Sequence, residues 1–89
     1  MARVRFIMPF TKLTGSKYIN IEAADVRELC KKLIQRFGSE MNVLLDENDD
    51  LSRNMVILVN RRNAHTLDGA NTTLDKNAEV IIMHYICGG

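Results

Sequence analysis

Only one segment of this 89-residue sequence carries a long helical stripe, and that limits the folds open to the chain. Val26, Leu29, Cys30, Leu33, Ile34 and Phe37 recur at helical spacing and make one continuous apolar face. Arg27, Lys31, Lys32, Gln35 and Arg36 fill the opposite face. Asp25 stands where an N-cap acceptor is needed, with Glu28 placed to complete a capping box. Gly38 follows the stripe at the position of a C-terminal cap. A single amphipathic helix covers one face of one sheet, so the rest of the chain is expected to supply that sheet.

The remaining segments supply strand patterns. Val4, Phe6 and Met8 alternate with Arg3, Arg5 and Ile7, and Pro9 is expected to end that strand. A turn around Gly15 leads to a second alternation over 17–22, in which Ile19 and Ile21 face one way; the two form an antiparallel hairpin. After the helix, 39–54 is weakly patterned. Val43, Leu44 and Leu45 are expected to dock on the core, and the acidic run Asp46 to Asp50 reads as a solvated loop. Met55 to Val59 is a short apolar strand, with a turn over 60–63. Residues 64–78 are polar and turn-rich around Asp68-Gly69, and Glu79 to Ile86 form the last strand. With the helix as crossover, the first and last strands run parallel if they pair. This order predicts an α+β fold of the β-grasp (ubiquitin-like) type, a mixed sheet packed on one main helix. The expected division is a domain over 1–86 and a flexible tail over 87–89.

Composition excludes several function classes. Twelve Lys and Arg against eleven Asp and Glu leave a net charge of +1, too little for a nucleic-acid binder that works by charge. No apolar run is long enough to span a bilayer, and Met1 to Phe10 lacks a signal-peptide layout. No membrane association and a cytoplasmic location are expected. Two cysteines without a CxxC motif exclude a disulfide framework, and no metal site is expected. His65 and His84 are far apart and lack a carboxylate pattern, and Asp46 to Asp50 lacks the spacing of a calcium loop. No nucleophile, phosphate-loop or zinc-protease motif occurs. Cys30 reads as a small core residue, whereas Cys87 reads as an exposed thiol with no basic neighbour to activate it.

Chemistry is concentrated at the end of the sequence. Gly88-Gly89 follow an apolar last strand, and without Cβ atoms such a pair can thread a narrow channel and bring a carboxylate close to another protein's backbone. Activation by ATP would turn that carboxylate into an electrophile for a sulfur or nitrogen nucleophile. In the last strand Val80, Ile82 and Ile86 share one parity, and Ile81, Met83 and Tyr85 share the other. A sheet covered by a helix on one side should be polar on its second side. Apolar residues on both parities therefore point to a surface that a partner covers, assigned here to Ile81, Met83, His84, Tyr85 and Ile86. Shielding of that strand by long loops is the competing explanation, as a frayed tail is for the glycines.

The residues also resemble a known family along nearly the whole chain. Val4-Arg5-Phe6 with Leu13-Thr14-Gly15, the helix start Asp25-Val26-Arg27-Glu28-Leu29, and Val59-Asn60 follow the order of the β-grasp sulfur carriers. So do Leu67-Asp68-Gly69, Thr73-Leu74, Glu79-Val80 and Gly88-Gly89, and the resemblance is strongest to the small subunit of molybdopterin synthase. Arg61 stands where that family commonly has glycine, Ala78 where it usually has aspartate, and His84-Tyr85 where it often has a proline pair. The resemblance implies that an E1-like enzyme uses ATP to adenylate Gly89, and that a sulfur donor converts it to a thiocarboxylate. The large synthase subunit would then present a pterin precursor to the sulfur. Gly89 would carry the reacting carbon, Gly88 would give clearance, and Cys87 would lie in the entering tail. The chain itself would bind no cofactor and catalyse nothing alone. A ubiquitin-like modifier joined to lysines, a carrier for thiamine or tRNA thiolation, and an interaction domain with an inert tail are the alternatives.

Overall fold

The helix begins as its sequence requires. Glu28 N–H donates to the Asp25 carboxylate at 2.8 Å, and helix α1 runs over Val26–Phe37. The Glu28 carboxylate reaches back one residue further than a standard capping box, accepting from Ala24 N–H at 2.7 Å. The Asp25 backbone is engaged in a bridge to Thr73, flanked by Val26 N–H to Thr72 O (3.0 Å) and Leu74 N–H to Ala24 O (2.9 Å). Gly38 closes the helix at φ +93°, its N–H donating to Ile34 O at 2.8 Å. Val26, Leu29, Cys30 and Leu33 are buried, and Ile34 and Phe37 pack against them from the margin.

This computed structural model describes residues 2–6, 15 and 18–84. Strands β1 (Ala2–Phe6), β2 (Tyr18–Ile21), β3 (Met55–Val59), β4 (Arg62–Asn63) and β5 (Glu79–His84) form one sheet in the order β2-β1-β5-β3-β4. β1 pairs antiparallel with β2 and parallel with β5, and β5 pairs antiparallel with β3. The mixed sheet and single main helix are the β-grasp arrangement expected from the sequence. Val4, Phe6, Ile21, Met55, Ile57, Val59, Val80 and Ile82 face α1 and make the core with it. The continuation of β1 through Met8 and Pro9 and the 87–89 tail lie outside the described residues, as do Tyr85 and Ile86.

The weakly patterned stretch after α1 folds as a 3₁₀ helix over Ser39–Leu44. Of the three residues expected to dock there, Leu44 is buried and Leu45 half-buried, but Val43 is 44% exposed. Met41 takes its place, because the tight 3₁₀ turn puts residues three apart on the same side and so pairs 41 with 44. The acidic loop is solvated and internally bonded. Asp46 accepts from the N–H groups of Asn48 and Asp50, and Asp50 accepts from those of Leu51 (2.8 Å) and Ala70 (3.2 Å). These two donors hold the Asp50 carboxyl below its usual range. Arg27 ties the same loop to α1, donating to Asp49 O (2.8 Å) and Asn71 Oδ1 (2.5 Å).

The turn from β3 to β4 has only Asn60 and Arg61 at its centre, with φ values of +50° and +72°. Positive φ at both positions is what a two-residue hairpin of right-handed twist demands. Asn60 tolerates it and also locks the turn to β5: its N–H donates to Glu79 O (2.8 Å) and its Oδ1 accepts from Glu79 N–H (2.9 Å). Arg61 has no such compensation and is exposed.

Two outcomes follow for stability. Leu33→Ala should lose about 2–5 kcal/mol in urea unfolding, since the side chain is fully buried; a loss within surface scatter would contradict the helix register. Arg61→Gly should gain about 1 kcal/mol, the cost of a left-handed side-chain-bearing residue. A raised urea midpoint with an unchanged slope would report it.

Candidate functional site: the uncovered sheet face

Strand alternation sends every second residue of the sheet away from α1. The register sets Tyr18, Arg5, Ile81, Leu58 and Asn63 in one row across the outer face. Met83 pairs with Val56 on one side of that row, and Arg3 lies between Asn20 and Glu79 on the other. Two halves result. Val56, Leu58, Ile81 and Met83 form an apolar strip of half-buried side chains over the centre. Arg3, Arg5 and Tyr18 form a basic, aromatic half over β1 and β2, all three exposed.

Between the halves lies a groove of about 440 Å³ lined by Arg3, Arg5, Tyr18, Glu79, Val80 and Ile81. The Arg3 guanidinium stands 4.4 Å from the Tyr18 ring centroid. Arg3 is directly opposite Asn20, so this is the diagonal contact that long side chains reach across a strand pair. Among the described residues the one ion pair is Lys31–Asp49 at 3.2 Å, on α1 and its neighbouring loop. Arg3 and Arg5 are therefore without a carboxylate partner there, although Glu79 sits next to Arg3 in register.

Of the residues assigned to a partner surface from sequence, Ile81 and Met83 lie on this face, half-buried. His84 closes β5 opposite Met55, while Tyr85, Ile86, Cys87, Gly88 and Gly89 lie outside the described residues. Sequence reasoning passed over Val56, Leu58, Arg3, Arg5 and Tyr18 as parts of the same face. The signal available for β1 was that Arg3 and Arg5 hold the parity opposite to Val4 and Phe6. The two histidines come to one end of the sheet, since the Met55 carbonyl lies 3.0 Å from His65 Nε2 and Met55 pairs with His84. No cluster able to hold a metal occurs among the described residues, and none of their helices is long and apolar enough to cross a membrane.

Cys30 is buried in the core, and burial pushes its thiol up to about 12, with the nearby Asp25 carboxylate adding to the shift. It is an inert core residue.

A helix crossing over one face of a sheet whose first and last strands pair in parallel defines a ubiquitin-like β-grasp protein. The chain belongs to the ThiS family, whose match runs over residues 4–89. Among solved structures it is similar to a chain of the Amycolatopsis orientalis BexX/CysO complex, with 20% identity, 100% of both chains covered and a TM-score of 0.87. It is also similar to small archaeal modifier protein 1 (SAMP1) of Methanosarcina acetivorans, with 20% identity, 99% and 95% of the two chains covered and a TM-score of 0.85. A third similar structure is the putative molybdopterin converting factor subunit 1 of Pyrococcus furiosus, with 20% identity, 96% and 97% covered and a TM-score of 0.74. A search of curated proteins found no significant match.

The burial of Cys30 has a direct readout. A Cys87→Ser variant should release no colour with a disulfide reagent in native buffer and one equivalent per chain in urea; native-state reaction would place Cys30 outside the core.

Proposed function

We propose that this chain is a sulfur carrier that works through Gly89 as its terminal residue and delivers sulfur to a pterin precursor in molybdenum-cofactor synthesis. The observation that carries the reading is the position of Gly88-Gly89, a few residues beyond the central strand β5 and inside the family match. The Gly89 carboxylate attacks the α-phosphorus of ATP on an E1-like enzyme, pyrophosphate leaves, and an acyl adenylate forms. A donor supplying sulfur at the sulfide level displaces AMP and leaves a thiocarboxylate. On the large subunit of molybdopterin synthase the sulfur passes to the pterin precursor, and water restores the carboxylate. ATP belongs to the activating enzyme, and this chain binds no cofactor. Gly88 lets the tail enter a narrow channel, Cys87 is carried with it, and the face of Ile81 and Met83, continued by His84, Tyr85 and Ile86, docks on the partner.

The order of motifs from Val59 to Gly89 and the likeness to the Pyrococcus furiosus protein support the pterin acceptor. The likeness to SAMP1 favours a second reading, in which a lysine amine displaces AMP and the chain becomes a protein modifier. Intact mass separates them: exchange of one oxygen for sulfur on the free chain supports the carrier, and a ladder of covalent conjugates supports the modifier.

Adenylation needs reacting atoms about 3–3.5 Å apart. Deletion of Gly89 leaves the carboxylate about 3.5 Å short of that point. The deletion variant should melt like the parent and lose at least about a hundredfold in ATP–pyrophosphate exchange with the E1-like enzyme. Undiminished exchange would overturn the reading.

A further inference from the structure

We propose that the groove between Arg3, Tyr18 and Arg5 takes an acidic side chain of the activating enzyme and thereby selects that partner, an inference that rests on the carrier reading. The two arginines are neighbours on one face, and the register places Arg5 beside Tyr18. Arg3 leans diagonally onto that same ring, away from the row it shares with Glu79. Arg3 and Arg5 thus line one groove of about 440 Å³ together with Glu79, and no carboxylate among the described residues, Glu79 included, comes within ion-pair distance of either. The stack on Tyr18, itself 52% exposed, holds the Arg3 guanidinium at the groove. Guanidinium pairs of this kind match a carboxylate.

The occupant follows from what adjoins the groove. Ile81 belongs both to its wall and to the apolar strip continued by Leu58, Val56 and Met83. An apolar surface next to paired cations fits a protein that presents an acidic residue beside apolar ones. A nucleic acid would leave the strip uncovered, and the chain's net charge of +1 gives it little general attraction. The acidic segment steers the encounter, and the strip supplies the buried contact.

The test is steady-state ATP–pyrophosphate exchange by the purified E1-like enzyme of the same organism, with the full chain as varied substrate. Arg5→Glu should raise KM for the chain about tenfold or more with kcat changed less than about twofold, because the contact orients a docked surface and takes no part in the chemistry. Arg5→Lys, which keeps the charge but not the planar fork, should raise KM less than Arg5→Glu does, and Tyr18→Phe, which keeps the ring, should stay within about threefold of the parent. The parent's KM should rise with added salt and that of Arg5→Glu should not. Melting curves establish that the variants fold; should Arg5→Glu not, Arg5→Gln and the parent's salt response decide. An unchanged KM for Arg5→Glu, or a parent KM indifferent to salt, overturns the acidic docking while leaving the carrier reading standing. Binding of an oligouridylate, or a dimer in sedimentation equilibrium, that Arg5→Glu abolishes also overturns it, since the groove would then serve RNA or a second copy. A parent chain that supports no exchange at any concentration overturns the carrier reading itself.

Discussion

The parallel contact between β1 and β5 is the constraint on which the rest of the molecule depends. A parallel pair cannot be closed by a tight turn, so everything from β2 to the turn before Glu79 is the crossover that connects them. Because α1 lies in that crossover, it is laid on one side of the sheet and covers Val80 and Ile82 completely. Because β3 pairs with the free edge of β5, the last strand becomes the middle one. Its backbone is bonded on both sides, and the sequence that leaves it at His84 leaves the most enclosed strand of the sheet rather than an edge. On the carrier reading that is a fixed point from which a partner's site can be reached, as positioning of reacting atoms requires.

The same constraint produces the two unlike faces. The described residues bury one core, on the α1 side of the sheet. The outer residues of β3 and β5 remain half-buried even though they are apolar, and their neighbours on β1 and β2 are cationic and aromatic. Polar connections keep the opposite side closed: Arg27 holds the acidic loop and Asn71 together, and Asp50 spends its carboxylate on backbone N–H groups that would otherwise lack partners. Among the described residues, local bonding is concentrated on the helix side, and the outer side of the sheet carries the half-buried apolar strip.

Much of this was legible in the sequence wherever a pattern is local. The stripe of α1, its Asp25 cap and the alternation of β1 each report a face directly, and the apolar residues on both parities of β5 pointed to Ile81 and Met83. What was not legible depends on which strands come to lie side by side. Arg3, Arg5 and Tyr18 look like ordinary solvent-facing residues until the register sets them against Ile81. Ala64 and Ala70, in short 3₁₀ turns, and Ala78, just before β5, are fully buried in a polar, turn-rich stretch, because small side chains let such turns approach the core closely, and no periodicity announces that. Met41 displaced Val43 for a similar reason, a change of helical pitch from 3.6 to 3.0 residues per turn that composition does not encode. The Gly88-Gly89 tail lies outside the described residues.

A carrier has to be released as well as recognised, and the outer face is suited to that. On the carrier reading the same tail visits an activating enzyme, a sulfur donor and an acceptor in turn, so an interface that bound any of them tightly would stop the cycle. Four half-buried apolar side chains offer limited area for burial, and they are already partly removed from water in the free chain, which lowers the gain on docking. Exposed charges at the rim act mainly on the rate of encounter and add little to the lifetime of the complex. On that reading an apolar strip of modest reach beside two arginines suits fast capture with fast release. Selectivity among partners would on that reading reside in the charged half of the face, and the shared handling of the tail in β5.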